Sequence, residues 1–130
     1  MIETHILADL LAVSSVEVLL RCKNHFLKAV PVSSESFELG EQTVQLWIET
    51  SEIFLCEYPH PLEFHCKQET TQVTFQARVE ALSQEGNRLV LHWHYDEIPF
   101  CISILAECQN INTGDFVTGE GQLRVKIATV

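Results

Sequence analysis

The chain has 130 residues, 8 of them Lys or Arg and 18 Asp or Glu, for a formal charge of −10; 46% are hydrophobic and 20% charged. That balance excludes wholesale disorder, and the length gives a single domain over residues 1–130. The acidic excess argues against a nucleic-acid or anionic-membrane surface, since both need clustered Lys and Arg.

In chain order, Met1–His5 carries Glu3 where a secretory signal would be basic, so no signal peptide is expected. Ile6, Leu7, Leu10 and Leu11 recur at helical spacing behind Thr4, a suitable N-cap. This predicts a short helix over about residues 4–13, docked by its apolar stripe on the rest.

The period then changes to two. Val16–Leu20, Phe26–Val32, Thr43–Glu49, Ile53–Tyr58 and Leu62–Lys67 read as strands, separated by turns and by a loop at Ser33–Ser36. Gln72–Leu82 and Leu89–Tyr95 read as a long hairpin. Ile98–Gln109 suits either an alternating strand or a helical turn, Gly119-Glu120-Gly121 reads as a turn, and Gln122–Val130 as a last strand. About eight short strands after one helix predict a mostly β fold: a small antiparallel β-barrel over about 16–130 with a short N-terminal α-helix. Val44, Leu46, Ile48, Phe64, Val73, Phe75, Val79, Leu91, Ile102, Leu123 and Val125 are the expected core.

The longest nearly uncharged apolar run, Ile98–Ala106, contains Pro99 and falls far short of the ~20 residues a spanning helix needs, so membrane insertion is not expected. The five cysteines, Cys22, Cys56, Cys66, Cys101 and Cys108, are odd in number and form no C-x-x-C pair. They read as reduced, mostly buried thiols of a cytoplasmic protein.

Three constellations bear on chemistry. His92 and His94, at i and i+2 of a strand, project from one face and could share a metal ion with His65, Glu63 or Glu80; the competing reading is a solvated polar face. Cys56, His60, His65 and Cys66 have zinc-ligand chemistry without zinc-site spacing, and read as core thiols and surface histidines. Trp47 lies opposite Val44, Leu46 and Ile48, which makes it a contact for another protein or for the N-terminal helix through Leu10 and Leu11. No G-x-S-x-G, H-E-x-x-H or Gly-rich phosphate loop occurs, so neither an enzyme nor a cofactor is expected.

Arg21-Cys22-Lys23-Asn24-His25 stands where an R-x-x-x-R stretch would precede a β-barrel, and Glu49-Thr50-Ser51-Glu52-Ile53-Phe54 where a strand would lead into [D/N]-x-S-x-x-G. From Arg21 to about Tyr95 the order of features resembles a PilZ domain, a small β-barrel that often binds cyclic di-GMP. Arg21 and Ser51 match, whereas His25 replaces the second Arg, Glu49 the Asp or Asn, and Phe54 the Gly. The resemblance implies a ligand site at Arg21, His25, Glu49 and Ser51, in the non-canonical kind of domain that serves as a protein adaptor without the ligand. Tight cyclic di-GMP binding is not expected, because the second guanidinium that would clamp phosphate is missing. The function expected is a non-enzymatic cytoplasmic interaction or regulatory module that binds another protein. The alternative is a β-barrel that binds a small ligand (a cyclic dinucleotide) or a metal.

Overall fold

A computed structural model describes residues 4–32, 37–50, 52–67, 69–105 and 110–128; Ser51, Cys108 and the loop expected at Ser33–Ser36 lie outside the described residues. Eleven strands run in chain order among the described residues. They are β1 (His5–Val13), β2 (Val18–Cys22), β3 (His25–Pro31), β4 (Gly40–Glu49), β5 (Ile53–Cys56), β6 (Glu63–Cys66), β7 (Gln72–Arg78), β8 (Ala81–Glu85), β9 (Arg88–Tyr95), β10 (Ile98–Leu105) and β11 (Phe116–Ile127). They form one sheet in the order β6-β7-β11-β3-β2-β1-β4-β10-β9-β8, with β5 paired to β11 and a further pairing of β11 with β4.

Two features of the expected fold are corrected. The segment over 4–13 is not a helix but strand β1, and no helix occurs among the described residues. Ile6, Ala8 and Leu10 alternate into the core, while Leu7 is 58% exposed. Ala8 is weakly apolar and drops out of a 3.6-residue stripe, yet it completes a period-two stripe. Ladders to β2 on one side and β4 on the other then satisfy the backbone, which an isolated nine-residue helix does poorly. The second correction concerns the small antiparallel barrel: the chain forms a mixed sheet of eleven strands. β4 runs parallel to β10, and β3 parallel to β11.

The sheet is organised by β11. Its first half pairs with β7 and β5, and its second half with β4 and β3. Gly119 and Gly121 lie inside this strand rather than in a turn. A Cβ on Gly121 would stand 2.5 Å from the Glu49 carbonyl oxygen and 2.8 Å from Ile48 Cγ2, so close backbone approach requires the glycine. The segment after β7 bends, and β8 rather than β7 forms the hairpin with β9. Residues 98–105 are strand, joined to β9 by a two-residue turn in which Asp96 and Glu97 both have positive φ.

All eleven expected core residues are buried. Phe64 of β6 stacks on Phe100 of β10 at 4.5 Å, and Trp93 of β9 packs against Phe75 and Phe100. β6 stands at one end of the strand order and β9 and β10 near the other, so the sheet curls until its two ends share one aromatic core. Among the described residues no helix is long and apolar enough to cross a membrane.

Candidate functional site

A cleft of about 780 Å³ opens where the end of β4 meets β5, β7 and the middle of β11. Glu49, Glu52 and Glu120 line it, with Thr50, Phe54 and Gln72, and among the described residues no basic side chain does. Its floor is the glycine-containing stretch of β11. Thr50 ties the walls together. Its hydroxyl donates to the Glu120 carbonyl at 2.7 Å and accepts from the Glu52 backbone N–H at 3.3 Å. Arg124 neutralises Glu49 by an ion pair, and Lys67 reaches Glu120 at 3.4 Å. With two of its three carboxylates paired to bases, the cleft is weakly acidic and offers no cationic clamp for phosphate among its lining residues.

One rim of the cleft is apolar. Phe54 and Leu55 of β5 are 59% and 52% exposed, and Tyr58 just beyond is 76% exposed. Successive residues of a strand point to opposite faces. Ile53, on the same face as Leu55, is buried in the core, so β5 is anchored at its first residue and exposes Phe54 and Leu55 beyond it.

Of the four residues taken from the PilZ-like resemblance, the three among the described residues do not share one site. Arg21 lies on the outer face of β2, where its Nη2 donates to Asp9 at 3.3 Å. His25 sits beside the β9–β10 turn, its Nε2 2.9 Å from an Asp96 carboxylate oxygen. Glu49 lies in the acidic cleft and pairs with Arg124, and Ser51 is outside the described residues.

The two histidines of β9 also have separate partners. His94 is held by Glu80, which accepts the His94 backbone N–H at 2.7 Å and approaches its ring Nδ1 at 3.1 Å. His92 is buried, with its Nε2 2.9 Å from Ser83 Oγ and its Nδ1 3.4 Å from Cys101 Sγ. Among the described residues no group of three or more His, Cys, Asp or Glu is placed to hold a metal ion. Of the expected protein contacts, Leu10 is in the core and Leu11 remains on the surface. Trp47 is half-buried, and in the absence of a helix Lys126 lies over its ring at 5.8 Å.

Sequence reasoning missed the acidic cleft, because its carboxylates come from positions up to 71 residues apart in sequence (120 − 49). It also missed the approach of Cys101 to His92. That contact follows from the β9–β10 register, which stays open as long as Ile98–Gln109 can be either strand or helical turn.

No family model matches the chain, and no curated protein matches its sequence.

Proposed function

We propose that this chain is a non-enzymatic interaction module of a reducing cytoplasm that binds another protein through β5 and the acidic cleft beside it. The exposed apolar side chains of β5 carry the reading. Phe54, Leu55 and Tyr58 stand together in the sequence beyond the buried Ile53, and clustered exposed aromatics mark contact surfaces. Phe54 also lines the cleft, so the apolar rim and the three carboxylates form one continuous surface. The partner segment that fits it is apolar and basic: its apolar side chains cover Phe54, Leu55 and Tyr58, and a Lys or Arg enters between Glu52 and Glu120. Cys22, Cys56, Cys66 and Cys101 are free thiols, which supports a reducing compartment.

The PilZ-like resemblance belongs to the same reading in its adaptor form. A ligand with two phosphates is opposed by the carboxylates beside Glu49, and Arg21 and His25 are each engaged with an acid elsewhere. Calorimetric titration with cyclic di-GMP at physiological salt is expected to show no binding. Micromolar or tighter binding, lost in Arg21→Ala, would instead favour a ligand-responsive switch.

The direct test is affinity purification from the native host with the wild type and a Phe54→Asp/Leu55→Asp variant in parallel. One protein should accompany the wild type in near-stoichiometric amount, dissociate as salt is raised, and be lost with the variant, while the melting temperature of the variant stays unchanged. Retention of the same protein by the folded variant contradicts the assignment.

A further inference from the structure

Leu91, Trp93, Phe100 and Ile102 of β9 and β10 point into the core, so His92 and Cys101 lie on the opposite face of the sheet. They are nevertheless buried there. Cys101 faces His92 across the β9–β10 pair and Trp47 across the β10–β4 pair. A cavity of about 370 Å³ opens onto Cys101 and His92, with Gln45, Trp47, Glu85 and Lys126 among its walls. We propose that Cys101 is a covalent acceptor site for a small activated acyl group, with His92 as general base and Ser83 as the residue that positions the imidazole.

The geometry has the order nucleophile, base, orienting group: Sγ lies 3.4 Å from Nδ1, and Nε2 lies 2.9 Å from Ser83 Oγ. Burial pushes the thiol up to about 11 and the imidazole below its ordinary 6.5. The resting pair is therefore neutral. In the tautomer that this chemistry requires, the S–H donates to Nδ1 and the Nε2–H donates to Ser83 Oγ. Two charged groups face the pair: Glu85 at the end of β8, which opposes thiol ionisation and favours the protonated imidazole, and Lys126 on β11, which favours the thiolate. With little free thiolate at neutral pH, attack requires the proton to leave as the bond forms.

The sulfur lone pair forms an S–C bond to the acyl carbon while the thiol proton passes to Nδ1, and the carbonyl π pair moves onto oxygen. Collapse of that adduct expels the alkoxide or thiolate leaving group, which takes the proton from Nδ1. The products are a thioester on Cys101 and a neutral alcohol or thiol, with no oxidant consumed. Gln45, whose side chain hydrogen-bonds the thiol, and Lys126 in the same cavity are the groups placed to stabilise the oxyanion. The cavity volume restricts the acyl group to a small one. The site takes one acyl group per chain without turnover, and it is independent of the β5 surface.

The test is acylation of the full chain by p-nitrophenyl acetate, with peptide mass mapping of each thiol. Cys101 should be acetylated faster than the half-buried Cys56 and Cys66. Its rate should level off with pH above the ordinary histidine range, and slow in deuterated water. His92→Gln, checked for an unchanged melting temperature, should lower the rate at least ~100-fold. Ser83→Ala should lower it less and shift the pH at which it levels off. Two results overturn the proposal: acetylation of Cys56 and Cys66 with Cys101 untouched, or a Cys101 rate that climbs about tenfold per pH unit from 7 to 9, as free thiolate chemistry does. The pH profile and the isotope effect use the wild type alone, so they decide even if a variant fails to fold.

Discussion

His92 shows how a polar-looking residue becomes part of the interior. On a period-two reading it belongs to the solvated face of β9, opposite Leu91 and Trp93, and its side chain does point that way. β8 and β10 flank β9 in the sheet, and Ser83, Cys101 and Trp47 on these neighbouring strands surround the ring on that face. Burial then holds the imidazole below its ordinary value of 6.5. The folded chain binds this proton less readily than the unfolded chain. The stabilising contribution is therefore complete above pH 6.5 and is lost as the pH falls through the lower folded value. Thermal melts should show a falling midpoint on acidification below pH 6.5, and His92→Gln should flatten that part of the profile. An identical acid slope in the two proteins would show that His92 is not the group responsible. The sign is opposite for Cys22, whose thiol burial pushes up to about 12 from 9.0: its contribution is present below pH 9.0 and is lost as the pH rises toward 12.

At the scale of elements, alternation is a local property, and so Val44, Leu46 and Ile48 of β4 or Val73 and Phe75 of β7 were legible as core from the sequence. β1 was not, because its leucines follow the helical period while its period-two stripe runs through the weakly apolar Ala8, and only its pairing with β2 and β4 decides between them. β11 was not legible as one strand, because its glycines resemble a turn. Their role is to admit the Glu49 carbonyl and the Phe75 ring rather than to reverse the chain. Gly121→Ala should therefore destabilise the domain by about 2 kcal/mol or more, since its Cβ meets backbone rather than a flexible side chain. Urea unfolding measures this, and an unchanged midpoint would mean that β11 does not pass so close to β4. The β9–β10 turn gives a prediction of opposite sign. Glu97 occupies the left-handed region at φ 67, and its ion pair with Lys23 at 3.8 Å is exposed. Glu97→Gly removes the steric cost of that conformation and should stabilise the fold by about 1 kcal/mol. A loss of stability would show that the ion pair outweighs the strain.

For the molecule as a whole, the parallel pairs β4–β10 and β3–β11 join segments that are distant in sequence, and local patterns carry no trace of them. These pairings set the curl of the sheet. They gather Glu49, Glu52 and Glu120 into one cleft and leave β5 at its margin. Glu49 was visible as a candidate from the motif-like stretch that contains it, and Phe54 only as a departure from that motif's Gly; the acid cluster they adjoin exists only in three dimensions. A second apolar surface, with Leu7 and Leu11 on β1, has Asp9 and its partner Arg21 set among its leucines and adjoins no acidic cleft. The account therefore assigns partner binding to β5. Hydrogen–deuterium exchange of the chain, free and bound to the protein it captures, tests this most directly. The account predicts new protection at residues 53–58 and along 118–122, with β1 unchanged; protection confined to β1 and the β1–β2 turn, with β5 exchanging as in the free chain, would contradict it.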